Sequence, residues 1–409
     1  MDVLYMSARP PYPPHKGDQL IAWEQIKQLK VNGDHVHLLT FAKTRKEKEL
    51  IKKKLSPYCK EVIVFRMHPI PMLLRSLKTF YNFKPVQVNL FFNPKIKKRV
   101  MEIHRRLNPD VIHVQTVRMA EYVIDTNSPK CLDMIDALSL NMERRAQKEK
   151  KLIKPLFLLE SRLMKRYEEV ILKKFDRTTI VSESDKSYLN HPQIVVNPNG
   201  TSITKQHLAS YPSMRKEKII LFHGNMQYYP NVEAVLDFVN EVWPHIHKAY
   251  PDYKFYIVGK DPVKRVTTLN GKDNVVVTGF VKDICIPLLQ AQIGIYPMKS
   301  GTGMQNKIVE AMACGLPTIA SPTALQGIAG RRGGELICTG NKEEMIAAVK
   351  QLIEKPELQE RYAMRGQAFV RSHYSWEKNC NRLIKTWQEA ERHRSSETQE
   401  KLEPMIVQS

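Results

Sequence analysis

The sequence predicts an α/β protein made of two doubly wound, Rossmann-like domains facing each other across a cleft. Three observations carry this. A chain of 409 residues exceeds one ordinary core and fits two domains of roughly 150–200 residues each. Short apolar runs of strand length alternate with helical stretches, the order that builds parallel sheets. The alternation also begins twice, at Asp2-Val-Leu-Tyr-Met6 and again at Ile219-Ile-Leu-Phe222.

In the first half, Asp2–Met6 reads as a buried parallel strand, followed by the proline-stiffened loop Ser7–Asp18 ending in Lys16-Gly17-Asp18. Leu20, Ile21, Gln25 and Leu29 mark a helix that ends near Gly33. His35–Thr40, Val62–Phe65, Asp110–Val114, Lys130–Ile135, Arg177–Val181 and Ile194–Val196 are further strands. Asp136 stands at the carboxyl end of one of them, and Gln115 just past another. A long charged helical region spans Asn141 to Lys174. The segment from Pro69 to Val88 combines Met72, Leu73, Leu74, Leu77, Phe80, Tyr81 and Phe83 with Arg75, Lys78 and Lys84. It reads either as an interfacial membrane element or as packed structure.

The polar stretch Thr201 to Lys218, carrying Pro212, reads as the linker between domains. The second half then supplies strands Ile219–Phe222, Lys254–Val258, Val275–Thr278, Ile293–Tyr296, Thr318–Ala320 and Glu335–Cys338, with helices between them. A terminal helix from Ser375 to Arg392 has Trp376, Leu383, Ile384 and Trp387 as its apolar set. The expected domains are therefore 1–203 and 204–374, with helix 375–393 packing back on the first and a disordered polar tail over 394–409.

Composition narrows the function classes. The formal charge is +22, with basic clusters at Lys43–Lys60, Lys95–Arg106 and Arg144–Lys174. They lack an interleaved aromatic platform and zinc spacing, which argues against nucleic acid. They suit solvated helix faces or an anionic membrane surface. No apolar run approaches the roughly 18–20 residues of a membrane span, and the chain enters a strand at once, leaving no room for a leader. Six scattered cysteines without a CxxC pair fit reduced structural thiols of a cytoplasmic protein.

The chemistry concentrates in Ser300-Gly-Thr-Gly-Met-Gln-Asn-Lys307-Ile-Val-Glu310 and the residues up to Ala320. Gly301 and Gly303 form a loop that runs into a helix N-terminus, where free amides and the helix dipole favour an anion. Lys307 adds positive charge, and Glu310, one turn on, is suited to sugar hydroxyls. A phosphate site beside a hydroxyl acceptor suggests a sugar nucleotide. Gly17, His113, Asp136, His223-Gly224, Gly259 and this loop all fall at carboxyl edges of predicted strands, where doubly wound sheets bind ligands. Each has a plainer reading: Gly17 as a turn residue, His113 and His223 as packing residues, Asp136 as a helix cap, and Lys307–Glu310 as a surface pair.

Several motifs occur in order over the chain: Lys16-Gly17-Asp18, Val181-Ser182-Glu183, Asn197-Pro-Asn-Gly200, Phe222-His-Gly224, Val258-Gly259, Thr278-Gly-Phe280, Lys307-Ile-Val-Glu310-Ala-Met-Ala-Cys-Gly-Leu-Pro317 and Tyr374-Ser-Trp376. In this the chain resembles a family 4 (group 1) retaining glycosyltransferase of the GT-B fold, in the branch of exopolysaccharide-associated sugar transferases. The resemblance implies an enzyme that moves a sugar from an NDP-sugar to a glycan or lipid-linked acceptor hydroxyl with retention of configuration. It implies no cofactor, since the NDP-sugar is a substrate, and no metal. It places the donor in the C-terminal domain and the acceptor in the N-terminal one, and the basic first half fits a cytoplasmic protein peripheral on the inner face of the cell membrane.

Residue by residue, Glu310 matches the glutamate that holds the nucleotide ribose, and Lys307 is the phosphate candidate. Thr302 stands where the family has another glutamate, so amides of Gly303, Met304 and Gln305 take more of the sugar. Asn225 and Pro230-Asn231 replace a basic pair after Gly224, which shifts that load onto Lys307 and Gly17. Asp136 falls where many members have a histidine, as a stabiliser of the positive sugar or an acceptor base. Gly17, His223, Gly224, Asn225, Gly301 and Asn306 complete the expected donor site, and Lys16, Asp18, His113 and Gln115 the acceptor side. Two other readings remain: a catalytically inactive nucleotide-sugar-binding protein and a sugar-nucleotide 2-epimerase.

Overall fold

The computed structural model describes residues 1–148, 151–212, 214, 216–301, 303–328 and 334–406. The chain divides into two compact units. Met1–Pro198 with Trp376–Ser409 forms unit 1, and Asn199–Ser375 forms unit 2.

Unit 1 holds seven strands: β1 (Asp2–Ser7), β2 (His35–Ala42), β3 (Glu61–Arg66), β4 (Val111–Gln115), β5 (Lys130–Asp133), β6 (Arg177–Ile180) and β7 (Ile194–Val196). They are parallel, in the order β3-β2-β1-β4-β5-β6-β7. Val3 to Met6 are all buried, which is why these strands read as unbroken apolar runs: both faces are covered. Alternation deals the side chains to two cores. Leu4, Met6, Leu39 and Ile112 enter one, while Val3, Tyr5, Val36 and Leu38 enter the other. Helix α1 (Gly17–Val31) leaves the loop after β1, at the point where the strand order reverses.

Unit 2 repeats the plan with six parallel strands: β8 (Ile219–His223), β9 (Lys254–Val258), β10 (Val275–Gly279), β11 (Ile293–Tyr296), β12 (Thr318–Ala320) and β13 (Ile337–Cys338), ordered β10-β9-β8-β11-β12-β13. Helix α2 (Tyr229–Asp237) follows β8 and α3 (Asn306–Ala313) follows β11. The core centres on Phe222, Phe238, Trp243, Phe255 and Tyr296. Every expected strand is present within a residue or two of its expected ends.

The polar stretch Thr201–Lys218, expected to link the domains, belongs to unit 2. Ile203, Leu208 and Tyr211 pack on its core, and Tyr211 Oη donates to Asp283 at 2.5 Å. The last helix, α4 (Trp376–Ile406), belongs to unit 1. Cys380, Leu383, Trp387 and Ala390 are buried, one stripe at three- and four-residue spacing. Residues after Arg394, expected to be disordered, continue this helix to Ile406. Their Glu, Gln and Lys content is polar yet helix-forming, and Arg394 Nε bonds the Asn127 carbonyl at 3.0 Å.

Candidate functional site

In unit 2, β8 ends at His223 and β11 at Tyr296, neighbouring strands whose carboxyl edges adjoin the start of α3. Tyr296 Oη lies 2.8 Å from His223 Nδ1, and His223 Nε2 lies 3.1 Å from Glu310 Oε2. A carboxylate only accepts, so His223 gives Nε2–H to Glu310 and Nδ1 receives the Tyr296 hydroxyl. Burial, with Glu310 nearby, pushes the Tyr296 phenol far above its ordinary range, so it stays a donor. His223 and Tyr296 are buried, whereas Glu310 keeps 32% of its side chain exposed. The relay thus aims a fixed carboxylate outward.

One turn earlier on α3, Lys307 turns inward. Its ammonium bonds Asn231 Oδ1, lies 3.3 Å from Met298 Sδ and sits 5.0 Å from the centre of the Phe222 ring. Burial lowers its pKa to about 7, against a smaller opposing pull from Glu310. Asn231 is fixed in turn through a 2.9 Å bond from Nδ2 to the Asn225 carbonyl. The glycines here are required by close approach. A Cβ at Gly259 would stand 1.7 Å from the Gly224 carbonyl oxygen, and one at Gly224 would stand 2.6 Å from Asn231 Nδ2. Ser300 donates to Glu233 at 2.7 Å, pinning the loop before α3 to α2.

The expected donor residues therefore separate. His223, Gly224, Asn225, Lys307 and Glu310 form one connected cluster. Gly301, Gly303, Met304 and Gln305 lead into α3, where the Asn306 and Ile308 amides donate to the Met304 and Gln305 carbonyls at 3.1 and 3.0 Å. Asn306 accepts from Asn199 Nδ2 at 3.2 Å, a bond that holds the unit's own backbone. Thr302 lies outside the described residues. Among the described residues no group of three or more His, Cys, Asp or Glu is placed to hold a metal ion.

In unit 1, Gly17 opens α1 and is exposed, and a Cβ there would meet nothing. Nothing in its own unit demands a glycine. Lys16 is exposed. Asp18 pairs with Arg9 at 3.1 Å, and its carbonyl accepts from buried Gln115 at 3.0 Å, so both hold the proline loop. Asp136 is half-buried at the end of β5. Burial, then the neighbouring Asp185 carboxylate, raises its pKa to about 7. The residues before these edges are strained: Thr116 and Ile135, both β-branched, take φ of 67° and 65°. Such strain gathers at functional edges.

One expectation is corrected. His113, placed on the acceptor side, is fully buried. Its ring lies 4.4 Å from Tyr5, and Nδ1 accepts from Trp387 Nε1 at 3.3 Å. Two residues short of the end of its strand, it belongs to the core. Arg118, which sequence reasoning passed over, reaches Gln87 Oε1 at 3.1 Å through Nε. Burial and neighbouring Arg9 lower its pKa to about 10, while Asp18 and Asp136 pull it up. It stands three residues past Gln115, just beyond the carboxyl edge of β4, which was the signal the sequence offered.

Residues 217–355 match the family described as glycosyl transferases group 1. An uncharacterized glycosyltransferase of Haemophilus influenzae is 28% identical over 197 residues, 45% of this chain and 53% of that protein. The match thus spans about half the length of that relative. An uncharacterized 44.6 kDa protein in the cps region of Klebsiella pneumoniae is 23% identical over 362 residues, covering 84% of this chain and 89% of that one. Among solved structures, Anabaena Alr3699/HepE in complex with UDP superposes with a TM-score of 0.65 at 15% identity, over 95% of this chain and all of that one. At that identity the likeness speaks for the fold. Residues 217–355 thus match the model of glycosyl transferases group 1, in a chain whose two-unit fold is that of solved GT-B structures.

Proposed function

We propose that the chain transfers a sugar from a nucleoside diphosphate sugar to a hydroxyl of a glycan or lipid-linked acceptor. The transfer retains anomeric configuration, proceeds without a metal, and serves the synthesis of cell-surface or exopolysaccharide. The observation that carries this is the Tyr296–His223–Glu310 relay beside buried Lys307, within the glycosyltransferase domain. The related Anabaena structure was solved with UDP and with UDP-glucose, and the Klebsiella relative lies in a cps region. Both support a nucleotide-sugar donor and a polysaccharide context.

In this reading Glu310, locked by His223, accepts from the ribose hydroxyls. The Lys307 ammonium and the backbone of the glycine loop leading into α3 meet the diphosphate and stabilise it as it leaves, which is where charge develops. The departing phosphate takes the acceptor proton, so no strong protein base is needed. Asp136, with Gly17 and Lys16 on the acceptor unit, orients the incoming hydroxyl or steadies the positive sugar. The chain acts at the cytoplasmic face of a membrane, where a lipid-linked acceptor is presented. No helix among the described residues is long and apolar enough to cross one.

The test is a panel of UDP-, GDP-, ADP- and dTDP-sugars, read by thermal shift, donor hydrolysis and transfer, with and without EDTA. NMR of the product anomer reports stereochemistry. One donor should stabilise the protein and be consumed. A donor bound but never consumed would mark an inactive binding protein, and one interconverted with its 2-epimer would mark an epimerase.

A further inference from the structure

Unit 1 carries an apolar surface that its own fold leaves uncovered. Leu73, Leu74, Leu77, Phe80, Tyr81 and Phe83 are each between 57% and 79% exposed. They sit on the short helices Pro69–Ser76 and Thr79–Asn82 and the turn that follows. This segment is built, not loose. Asn89 Nδ2 bonds Thr79 Oγ1 at 2.9 Å and the Lys84 carbonyl at 3.2 Å, and Lys84 pairs with Glu121 at 2.7 Å. Met72 and Phe91 pack on the core beneath. The inner face is anchored while the outer face is left to solvent, an arrangement that marks an interaction surface.

The surface continues on a second element. Glu160 of the helix Lys154–Leu172 accepts from the amides of Val86 and Gln87 at 2.9 and 3.1 Å, joining that helix to the segment. Beside Glu160, Leu156 and Leu159 are 65% and 50% exposed, and Leu152 is 90% exposed just upstream. Lys151, Lys154 and Arg162, all exposed, flank these leucines.

Charge decides the occupant. From Pro69 to Val88 the sequence has Arg75, Lys78 and Lys84 and no aspartate or glutamate, and Lys151, Lys154 and Arg162 add to them on the second element. We infer that this face of unit 1 is a docking surface for a lipid bilayer with anionic headgroups. The leucines and aromatic rings enter the headgroup–acyl boundary and the flanking cations lie at the phosphate level. Phe80, Tyr81 and Phe83 suit that boundary. A second copy of the chain is disfavoured as occupant, because both copies carry +22. The inference rests on the proposed membrane location and names the surface that serves it; it is read without sugar transfer, so its failure is distinguishable from failure of the proposed reaction.

The experiment floats the full chain with phosphatidylcholine vesicles, with and without phosphatidylglycerol. Binding is expected only with the anionic lipid. Leu74→Ser/Phe80→Ser and, separately, Lys78→Glu/Lys154→Glu should each reduce vesicle partition at least about tenfold. Met364→Ser, an equally exposed apolar position of unit 2, should leave it unchanged. Trp introduced by Leu74→Trp should be quenched by brominated acyl chains. Equal flotation with neutral vesicles, or binding that survives the apolar substitutions, overturns the inference. So does a dimer, seen by light scattering without lipid, that Leu74→Ser/Phe80→Ser dissolves.

Discussion

His223 Nε2 stands 3.1 Å from Glu310 Oε2 across 87 residues of chain, while Tyr296 holds the other ring nitrogen at 2.8 Å. Glu310 is thus positioned by a buried imidazole that itself has no freedom to turn. Glu310→Ala removes the carboxylate proposed to hold the ribose and should lower transfer at least about tenfold. His223→Ala should lower it as well, although His223 acts through Glu310. The double variant should lose less than the sum, with a coupling of about 0.5–3 kcal/mol. Steady-state kinetics of the four proteins checks this. Strict additivity would show that the two residues act separately.

On the proposed reading, Lys307 makes donor binding pH-dependent. Burial lowers its pKa to about 7, and a diphosphate beside it favours the ammonium. Donor binding then takes up a proton, so affinity should fall as pH rises above about 7. Calorimetry in buffers of different ionisation enthalpy measures that uptake, and Lys307→Gln should abolish it while reducing transfer at least about tenfold. Stability moves the other way. A lysine whose folded pKa lies below its unfolded one costs stability at and below pH 7, and the cost fades towards pH 10. Lys307→Met should therefore stabilise the ligand-free protein near pH 7, with the gain shrinking as pH rises.

How much of this was legible in the sequence follows from the range of each interaction. The strands were legible because burial on both faces writes them as continuous apolar runs between glycine and proline breaks. Lys307 and Glu310 were legible as one helical turn after a glycine loop. His223 and Asn231 were placed near them, but the pairing was not legible: that His223 joins Tyr296 to Glu310 and that Asn231 binds Lys307 arises only where separate elements meet α3 in the folded sheet. His113 misled for the opposite reason. Its type and its place near a strand end both suggested a site, yet strand alternation turns it toward Tyr5 and Trp387. The helical end of α4 was hidden because polar composition alone does not distinguish an exposed helix from an unstructured tail.

Asp136 should set the pH profile of transfer. Burial and the Asp185 carboxylate raise its pKa to about 7. If its carboxylate form serves the acceptor, kcat/KM rises with pH through about 7, and Asp136→Asn flattens that limb and lowers the plateau. Ser182 caps the helix Glu183–Leu189, its hydroxyl accepting from the Asp185 amide and donating to the Asp185 carboxylate. Asp185→Asn should move the Asp136 limb to lower pH, because one of the two like charges is removed. A limb that stays in place in both variants would assign it to another group.

His113 gives the last prediction, a structural one. Burial lowers its pKa to about 3, and Nδ1 accepts the Trp387 N–H, so the ring is neutral with its hydrogen on Nε2. That Nε2 is buried and has no partner among the described residues, which costs stability. The unfolded chain protonates this histidine near pH 6.5 while the folded one refuses the proton. The stability His113 allows is complete above that pH and is lost as pH falls towards about 3. His113→Phe keeps the stack on Tyr5 but strands the Trp387 N–H, so His113→Phe/Trp387→Phe should be less destabilised than the two singles predict. Trp387→Ala, which empties a fully buried position, should cost about 3–5 kcal/mol. Urea unfolding at several pH values measures all three, and His113→Phe should flatten the acid slope. Transfer per folded molecule should be unchanged in that variant, whereas an acceptor-side histidine would take activity with it.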